Sequence, residues 1–286
     1  MCSSLLALAL LCYCNSAETR VHGTIAKNGM VVTAHPEATR VGVEILRRGG
    51  TAMDAAIAVQ FALAVVYPGA GNIGGGGFMV VRKADGTTAT LDFREKAPAL
   101  ATHDMFLDSA GNVIDKLSTR GHLAAGVPGV VAGMVQAYER YGTVPFADLV
   151  QPAVDLARHG FALTTKEAEK YNGIRADVER YSTTSPWITQ RAVWEKGDTV
   201  VIDDLARSLE RIRDNGRDGF YAGATADSIV MEMQRGGGLI SYEDLRDYKA
   251  VWREPVVGTF KGYKVISMAP PSSGGIALLQ LLQSVE

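Results

Sequence analysis

Cysteine is almost missing from this chain. Three occur in 286 residues, Cys2, Cys12 and Cys14, and all lie in the opening segment. Once that segment is removed no disulfide can form, which excludes a disulfide-held scaffold. Excess charge is missing too. Lys and Arg number 29 against 31 Asp and Glu, a net charge of −2, so nothing points to nucleic acid or an anionic membrane as a partner. Beyond the N-terminus no apolar run is long enough to span a bilayer, because Ala55–Tyr67 is broken by Gln60 and stops at Pro68. The five histidines form no H-E-x-x-H motif and no close pair, and no cysteine is spaced for a metal, so neither metal nor cofactor is expected. A G-x-S-x-G nucleophile elbow is absent as well.

What remains is an ordinary globular composition, 47% apolar and 21% charged, with enough chain for a sizeable core. The N-terminus stands apart. "MCSSLLALALLCYCNSA" has no charged side chain, an apolar run from Leu5 to Cys14, and small residues ending at Ala17. It fits the apolar core of a signal peptide over residues 1–17, which implies an extracytoplasmic protein, periplasmic or secreted. The basic start of such a signal is missing, so a buried N-terminal element is the alternative. Cys14 before a polar tail raises lipid anchoring as another, although "LCYC" matches a lipobox poorly.

Met30–Ala34 reads as a short strand. A helix follows from Pro36, a residue suited to the first turn, and stops at Gly49–Gly50. "TAMDAAIAVQFALAVVYP" is apolar nearly all round and predicts a buried helix, with Thr51 or Asp54 at its start. "FMVVRKADGTTATLDF" reads as a hairpin turning at Asp85–Gly86. Two amphipathic helices joined near Gly142 and Pro145 come next. Residues 164–196 read as irregular with some helix. Then follow two helices, a Ser241-x-x-Asp244 helix start, two strands within "PVVGTFKGYKVIS", and a final apolar helix entered through "PPSSGG" with Ser272 or Ser273 at its cap. The chain stops inside that apolar helix, so the natural polypeptide is expected to continue.

Between the buried helix and the hairpin lie six glycines in nine positions, Gly69–Gly77, with GAGNIG a formal match to G-x-G-x-x-G. A dinucleotide fingerprint needs a strand before its glycines and a helix after them. Here the order is helix, glycines, hairpin, and no Gly-Lys-Ser/Thr follows. The glycines are therefore expected to serve close packing or left-handed backbone. At the end of the hairpin Asp92, Arg94 and Glu95 form a charged cluster. Arg94 is either a fork for a ligand carboxylate or one half of a structural ion pair with a neighbouring acid.

Six stretches stand out together: "GGTAMDAAIAVQFALAVVYPGAGNIGGGGFMVV", "LDFREKAPALATHDMFLD", "HLAAGVPGVVAG", "YGTVPFADLVQPAVDLARHGF", "GGLISYEDLRDYKAV" and "PPSSGG". In content and order they resemble one family, the gamma-glutamyltranspeptidases, also called glutathione hydrolases. The resemblance implies an α/β (α+β) fold, the αββα sandwich of the N-terminal nucleophile hydrolases. It implies that residues 18–286 are a large-subunit portion truncated before the autocleavage site, and that the partner is the small subunit from the same precursor. The expected reaction moves the gamma-glutamyl group of glutathione or another gamma-glutamyl compound to water or to an amino-acid or peptide acceptor. The nucleophile and general base would be the small subunit's N-terminal threonine. The arginine of the family's "FRE" motif matches Arg94 and would hold the substrate's α-carboxylate.

One departure matters. The family's nucleophile opens a Thr-Thr-His-type motif, whereas Thr87–Thr88, Thr164–Thr165 and Thr183–Thr184 are not followed by histidine. No catalytic residue is therefore expected in this chain, and Arg94 is its only expected substrate-binding residue. Two further readings share the scaffold: a cephalosporin-acylase-like amidase, and a non-catalytic, degenerate secreted binding protein.

Overall fold

The computed structural model describes Gly23 and residues 25–286. The stretch expected to be a signal peptide, residues 1–17, lies outside the described residues. Val31–Glu286 form one unit, and the described part of residues 1–30 is an exposed, irregular stretch.

Helix α1 (Pro36–Arg47) starts where His35 Nδ1 accepts from the Glu37 N–H at 3.2 Å. Helix α2 (Ala52–Val66) starts with a capping box in which the Thr51 hydroxyl and the Asp54 carboxylate each satisfy the other's backbone N–H. The Asp54 side chain has no exposure, yet it accepts five hydrogen bonds, from the amides and hydroxyls of Thr51 and Thr143 and from the Val144 amide. Burial alone would raise its pKa. The Thr143 and Thr51 donors outweigh that and hold it at about 2. A buried carboxylate thus pins the start of α2 to the turn before α5.

A one-turn helix α3 (Pro68–Gly71) follows, then strands β1 (Phe78–Arg82) and β2 (Thr88–Asp92). Helices α4 (Val130–Tyr141) and α5 (Phe146–His159) come next, followed by β3 (Phe161–Ala162), α6 (Thr165–Tyr181) and β4 (Thr199–Val200). Then come α7 (Asp203–Asn215), α8 (Asp218–Tyr221), α9 (Gly223–Gly236) and α10 (Tyr242–Asp247), strands β5 (Val251–Arg253), β6 (Val256–Phe260) and β7 (Tyr263–Ser267), and α11 (Gly274–Ser284).

The helices make one layer: α1 packs on α2, α2 on α5, and α5 on α7. Beneath it β1, β2 and β5 form an antiparallel sheet with β2 in the centre, pairing Phe78 with Asp92 and Thr90 with Arg253. Helix α4 bridges the layers, touching both α2 and β2. The core runs through Phe61, Leu91, Met134, Leu149 and Leu209, all fully buried. The β6–β7 hairpin carries α11.

Two expectations need correction. Met30–Ala34 forms no strand; the stretch has no strand partner among the described residues. Residues 164–196 are more regular than expected, because Thr165–Tyr181 is a helix of 17 residues opened by a Thr164–Glu167 capping box. The cap at "PPSSGG" is weak: Ser273 is the N-cap residue without a side-chain bond, and Ser272 Oγ accepts from the Gly274 N–H at 3.3 Å.

Candidate functional site

Sheet pairing carries the chain one residue past β2. Phe93 and Gly77 exchange both backbone hydrogen bonds, at 3.0 and 3.2 Å. Phe93 is buried, and its ring lies against Gly77 and Gly133. At Gly133 an added Cβ would stand 2.4 Å from the ring, so helix α4 can approach this closely only without a side chain there. The Phe93 carbonyl is equally crowded, 2.5 Å from a Cβ at Gly76 and 2.0 Å from one at Gly129. The glycine stretch and the start of α4 are therefore two walls of one cradle around the segment Phe93–Glu95.

This settles what the glycines do not do. The Gly75 carbonyl accepts from the N–H groups of Gly129 (2.8 Å) and Val130 (3.1 Å), the free amides at the start of α4. An anion-binding loop points amides outward at a helix start. This one spends a carbonyl on them, and the order is α2, glycines, β1, as the sequence indicates.

Arg94 projects from the cradle. Its N–H donates to Asp92 Oδ1 at 3.1 Å, and its carbonyl accepts from the Tyr248 hydroxyl at 2.7 Å. Its guanidinium is exposed, lies 6.0 Å from the Phe78 ring, and enters no ion pair among the described residues. Neither neighbouring acid pairs with it among the described residues. Asp92, largely buried, takes Arg253 through Nε and Nη2, both at 2.9 Å from Oδ2. The Glu95 carboxylate lies over Gly75 and Gly76. The structural ion pair at this point of the sheet is thus Asp92–Arg253, and the Arg94 fork is left facing outward. Burial, with the nearby charges of Tyr221, Asp92 and Glu95, pushes the Tyr248 hydroxyl above its ordinary value, so it stays a neutral donor.

Tyr248 and Arg253 are the contributors that the sequence reading missed. Each meets the site from more than 150 residues away, and no local motif marks either. The three Thr-Thr pairs do structural work instead. Thr88 opens β2, Thr164 caps α6, and the Thr183 hydroxyl donates to Glu232, which also meets His122 Nε2 at 2.8 Å. Arg94 lines neither of two clefts in the described structure. One of about 720 Å³ runs between α1 and α5; one of about 640 Å³ is lined by α7, α9 and the Ile73–Gly74 side of the glycine stretch.

The comparisons with known proteins agree with this geometry. The family model described as "Gamma-glutamyltranspeptidase" matches residues 38–286. A glutathione hydrolase proenzyme of Escherichia coli K12 is 50% identical over 271 residues, 94% of this chain and 47% of that protein. An acylase ACY 1 proenzyme of Pseudomonas sp. strain V22 is 36% identical over 265 residues, 90% of this chain and 48% of that protein. The crystal structure of Helicobacter pylori gamma-glutamyltranspeptidase superposes with a TM-score of 0.88 at 48% identity, covering 91% of this chain and 75% of that one. The chain spans about half the length of the curated relatives it matches. A helical layer on an antiparallel sheet, with such neighbours, defines an α/β protein of the N-terminal nucleophile hydrolase class. Within that class, the chain belongs to the gamma-glutamyltranspeptidase family.

Proposed function

We propose that residues 18–286 are the large-subunit portion of a gamma-glutamyltransferase and glutathione hydrolase, and that Arg94 binds the α-carboxylate of its substrate. The observation that carries this reading is the exposed Arg94 fork, freed from both neighbouring acids and projecting from a glycine-walled segment of a chain in this family. A gamma-glutamyl group bears a free α-carboxylate at the end remote from its scissile amide. A guanidinium meets that group in two parallel N–H···O bonds, giving both selection and orientation.

In this reading the chemistry belongs to the small subunit cut from the same precursor, in keeping with the name proenzyme carried by the relatives. The N-terminal threonine hydroxyl attacks the gamma-amide carbonyl, its own amine taking the proton. The amine product leaves with that proton, and a gamma-glutamyl ester remains on the threonine. Water or the amine of an acceptor amino acid or peptide then attacks the ester and frees the threonine. No cofactor enters either half of the reaction. Arg94 contributes by holding the glutamyl end still while the two attacks occur at the other end. The leading residues 1–17 act as a signal peptide, and the enzyme works outside the cytoplasm. Among the described residues no helix is long and apolar enough to cross a membrane.

The test uses the full-length protein. Purified material is expected to separate into two chains, the shorter beginning with threonine by mass spectrometry, and to release glutamate from glutathione. An uncleaved protein that leaves glutathione intact would overturn the proposal. The 36% identity to an acylase proenzyme supports a second reading as an amidase acting on another carboxylate-bearing amide. Turnover of a glutaryl amide with glutathione untouched would select it.

A further inference from the structure

The segment that carries Arg94 is tied down on both sides of that residue. Phe93 pairs with Gly77, and Lys96 makes a two-way bridge with Val127, its N–H donating at 3.2 Å and its carbonyl accepting at 2.8 Å. Between those ties the Arg94 carbonyl has the Tyr248 hydroxyl as its donor, at 2.7 Å. Tyr248 is 2% exposed and held on every side. Its ring stacks on Tyr221, with centroids 5.9 Å apart and planes 4° from parallel, and Lys96 Nζ lies 5.0 Å over it. Gly129 clears the space for its hydroxyl, since a Cβ there would stand 2.1 Å from the oxygen. The Arg217 guanidinium donates to the carbonyls of Leu245, Arg246 and Tyr248, at 3.2, 2.7 and 2.9 Å, and covers the Tyr221 ring at 4.6 Å. Tyr221 in turn donates to the Pro128 carbonyl at 2.8 Å. Segments around residues 94, 128 and 248 are thereby locked together at the point from which Arg94 projects.

We propose that Tyr248 is a positioning residue for Arg94, its hydroxyl fixing the Arg94 peptide so that the guanidinium meets the substrate carboxylate in one orientation. This rests on the reading of Arg94 given above. An arginine side chain is long and loses much rotamer freedom when it binds, so its reach depends on a fixed base. Bidentate recognition also tolerates little misplacement. Removal of the hydroxyl leaves the Phe93 and Lys96 ties intact. The change is therefore felt at the Arg94 peptide more than in the fold.

The experiment measures kcat and KM for gamma-glutamyl-4-nitroanilide in the full-length protein. The variants are Tyr248→Phe, Arg94→Ala, the double variant, and Tyr138→Phe. Tyr138 supplies a comparator because its hydroxyl accepts from the Phe146 amide at 3.2 Å, in another part of the helical layer. Tyr248→Phe keeps the ring stack and is expected to raise KM about 3- to 10-fold with kcat within about twofold. In the Arg94→Ala background it is expected to raise KM no further, and Tyr138→Phe is expected to leave KM unchanged. A parental KM in Tyr248→Phe, or an equal rise in the Arg94→Ala background, would overturn the positioning role while leaving Arg94 standing. A parental KM in Arg94→Ala would overturn the Arg94 reading itself.

Discussion

Gly76→Ala tests the glycine cradle directly. A Cβ at position 76 would lie 2.5 Å from the Phe93 carbonyl oxygen, 2.6 Å from the Glu95 amide nitrogen and 2.8 Å from Glu95 Oε2. The first two obstacles are backbone, so no side chain can swing aside to relieve them. Ordinary contact begins at 3.4 Å, which leaves the methyl about 0.9 Å short on its worst side. Opening that gap moves the glycine stretch away from Phe93 and strains the two Gly77–Phe93 hydrogen bonds. Overpacking of this kind costs about 1–3 kcal/mol, and each weakened hydrogen bond adds about 1 kcal/mol. We expect Gly76→Ala to destabilise the full-length protein by about 3 kcal/mol and to raise KM for gamma-glutamyl substrates, since the Phe93–Glu95 segment it displaces carries Arg94. Position 74 gives the contrast. A Cβ there meets only Asn72 Oδ1, at 3.5 Å, so Gly74→Ala is expected to lie within about 0.5 kcal/mol of the parent. Denaturant unfolding of the pair, with KM measured on each, checks both values. Equal stabilities for the two variants would refute the packing account of this stretch.

Two further outcomes follow from buried charge. Asp54→Asn places an amide against a carboxylate's five donors and is expected to cost about 3 kcal/mol, read by chemical unfolding at neutral pH. The parent's Asp54 titrates near 2 against an ordinary 3.8, which contributes about 2 kcal/mol of stability. Because the folded value is the lower one, this contribution is complete above about pH 4 and is lost as the pH falls towards 2; that part of the pH dependence is expected to vanish in Asp54→Asn. Arg253→Met strips the partner from Asp92 and is expected to cost about 3 kcal/mol. It also frees Asp92 to compete for Arg94, so KM for gamma-glutamyl-4-nitroanilide is expected to rise; an unchanged KM would show that Asp92 does not reach the fork.

How far the sequence carries the fold depends on how local each signal is. The buried helix α2 is legible from its Ala-rich composition and from Thr51 and Asp54, and the β1–β2 hairpin from Asp85–Gly86 between alternating strands. Helix α6 hides because only Ala168 and Tyr171 are buried, with Val178 partly so, and its many polar residues mask the helical period. Its Thr164–Glu167 start is the same signature that Ser241–Asp244 shows. Met30–Ala34 has strand-like residues, but a strand needs a partner, and Val31 instead packs on Gly42. At the site, the order of elements rules out a nucleotide loop without any coordinates. Arg94 stands out only as a charged residue at a strand end, and its expected role comes from the family resemblance. That Asp92 belongs to Arg253, and that Tyr248 holds the Arg94 carbonyl, depends on contacts across more than 150 residues that no spacing encodes.

The most direct test of the account compares two amides in the full-length protein, gamma-glutamyl-4-nitroanilide and 4-aminobutanoyl-4-nitroanilide, which differ only by the α-carboxylate. The parent is expected to prefer the first strongly in kcat/KM. Loss of a charge-assisted bidentate pair, about 2 kcal/mol, corresponds to a fall of about 30-fold. Arg94→Ala is expected to reduce the preference by that factor, and Arg94→Lys, which keeps the charge without the fork, to fall between the two. A preference that survives Arg94→Ala undiminished would contradict the assignment of Arg94 as the carboxylate-binding residue.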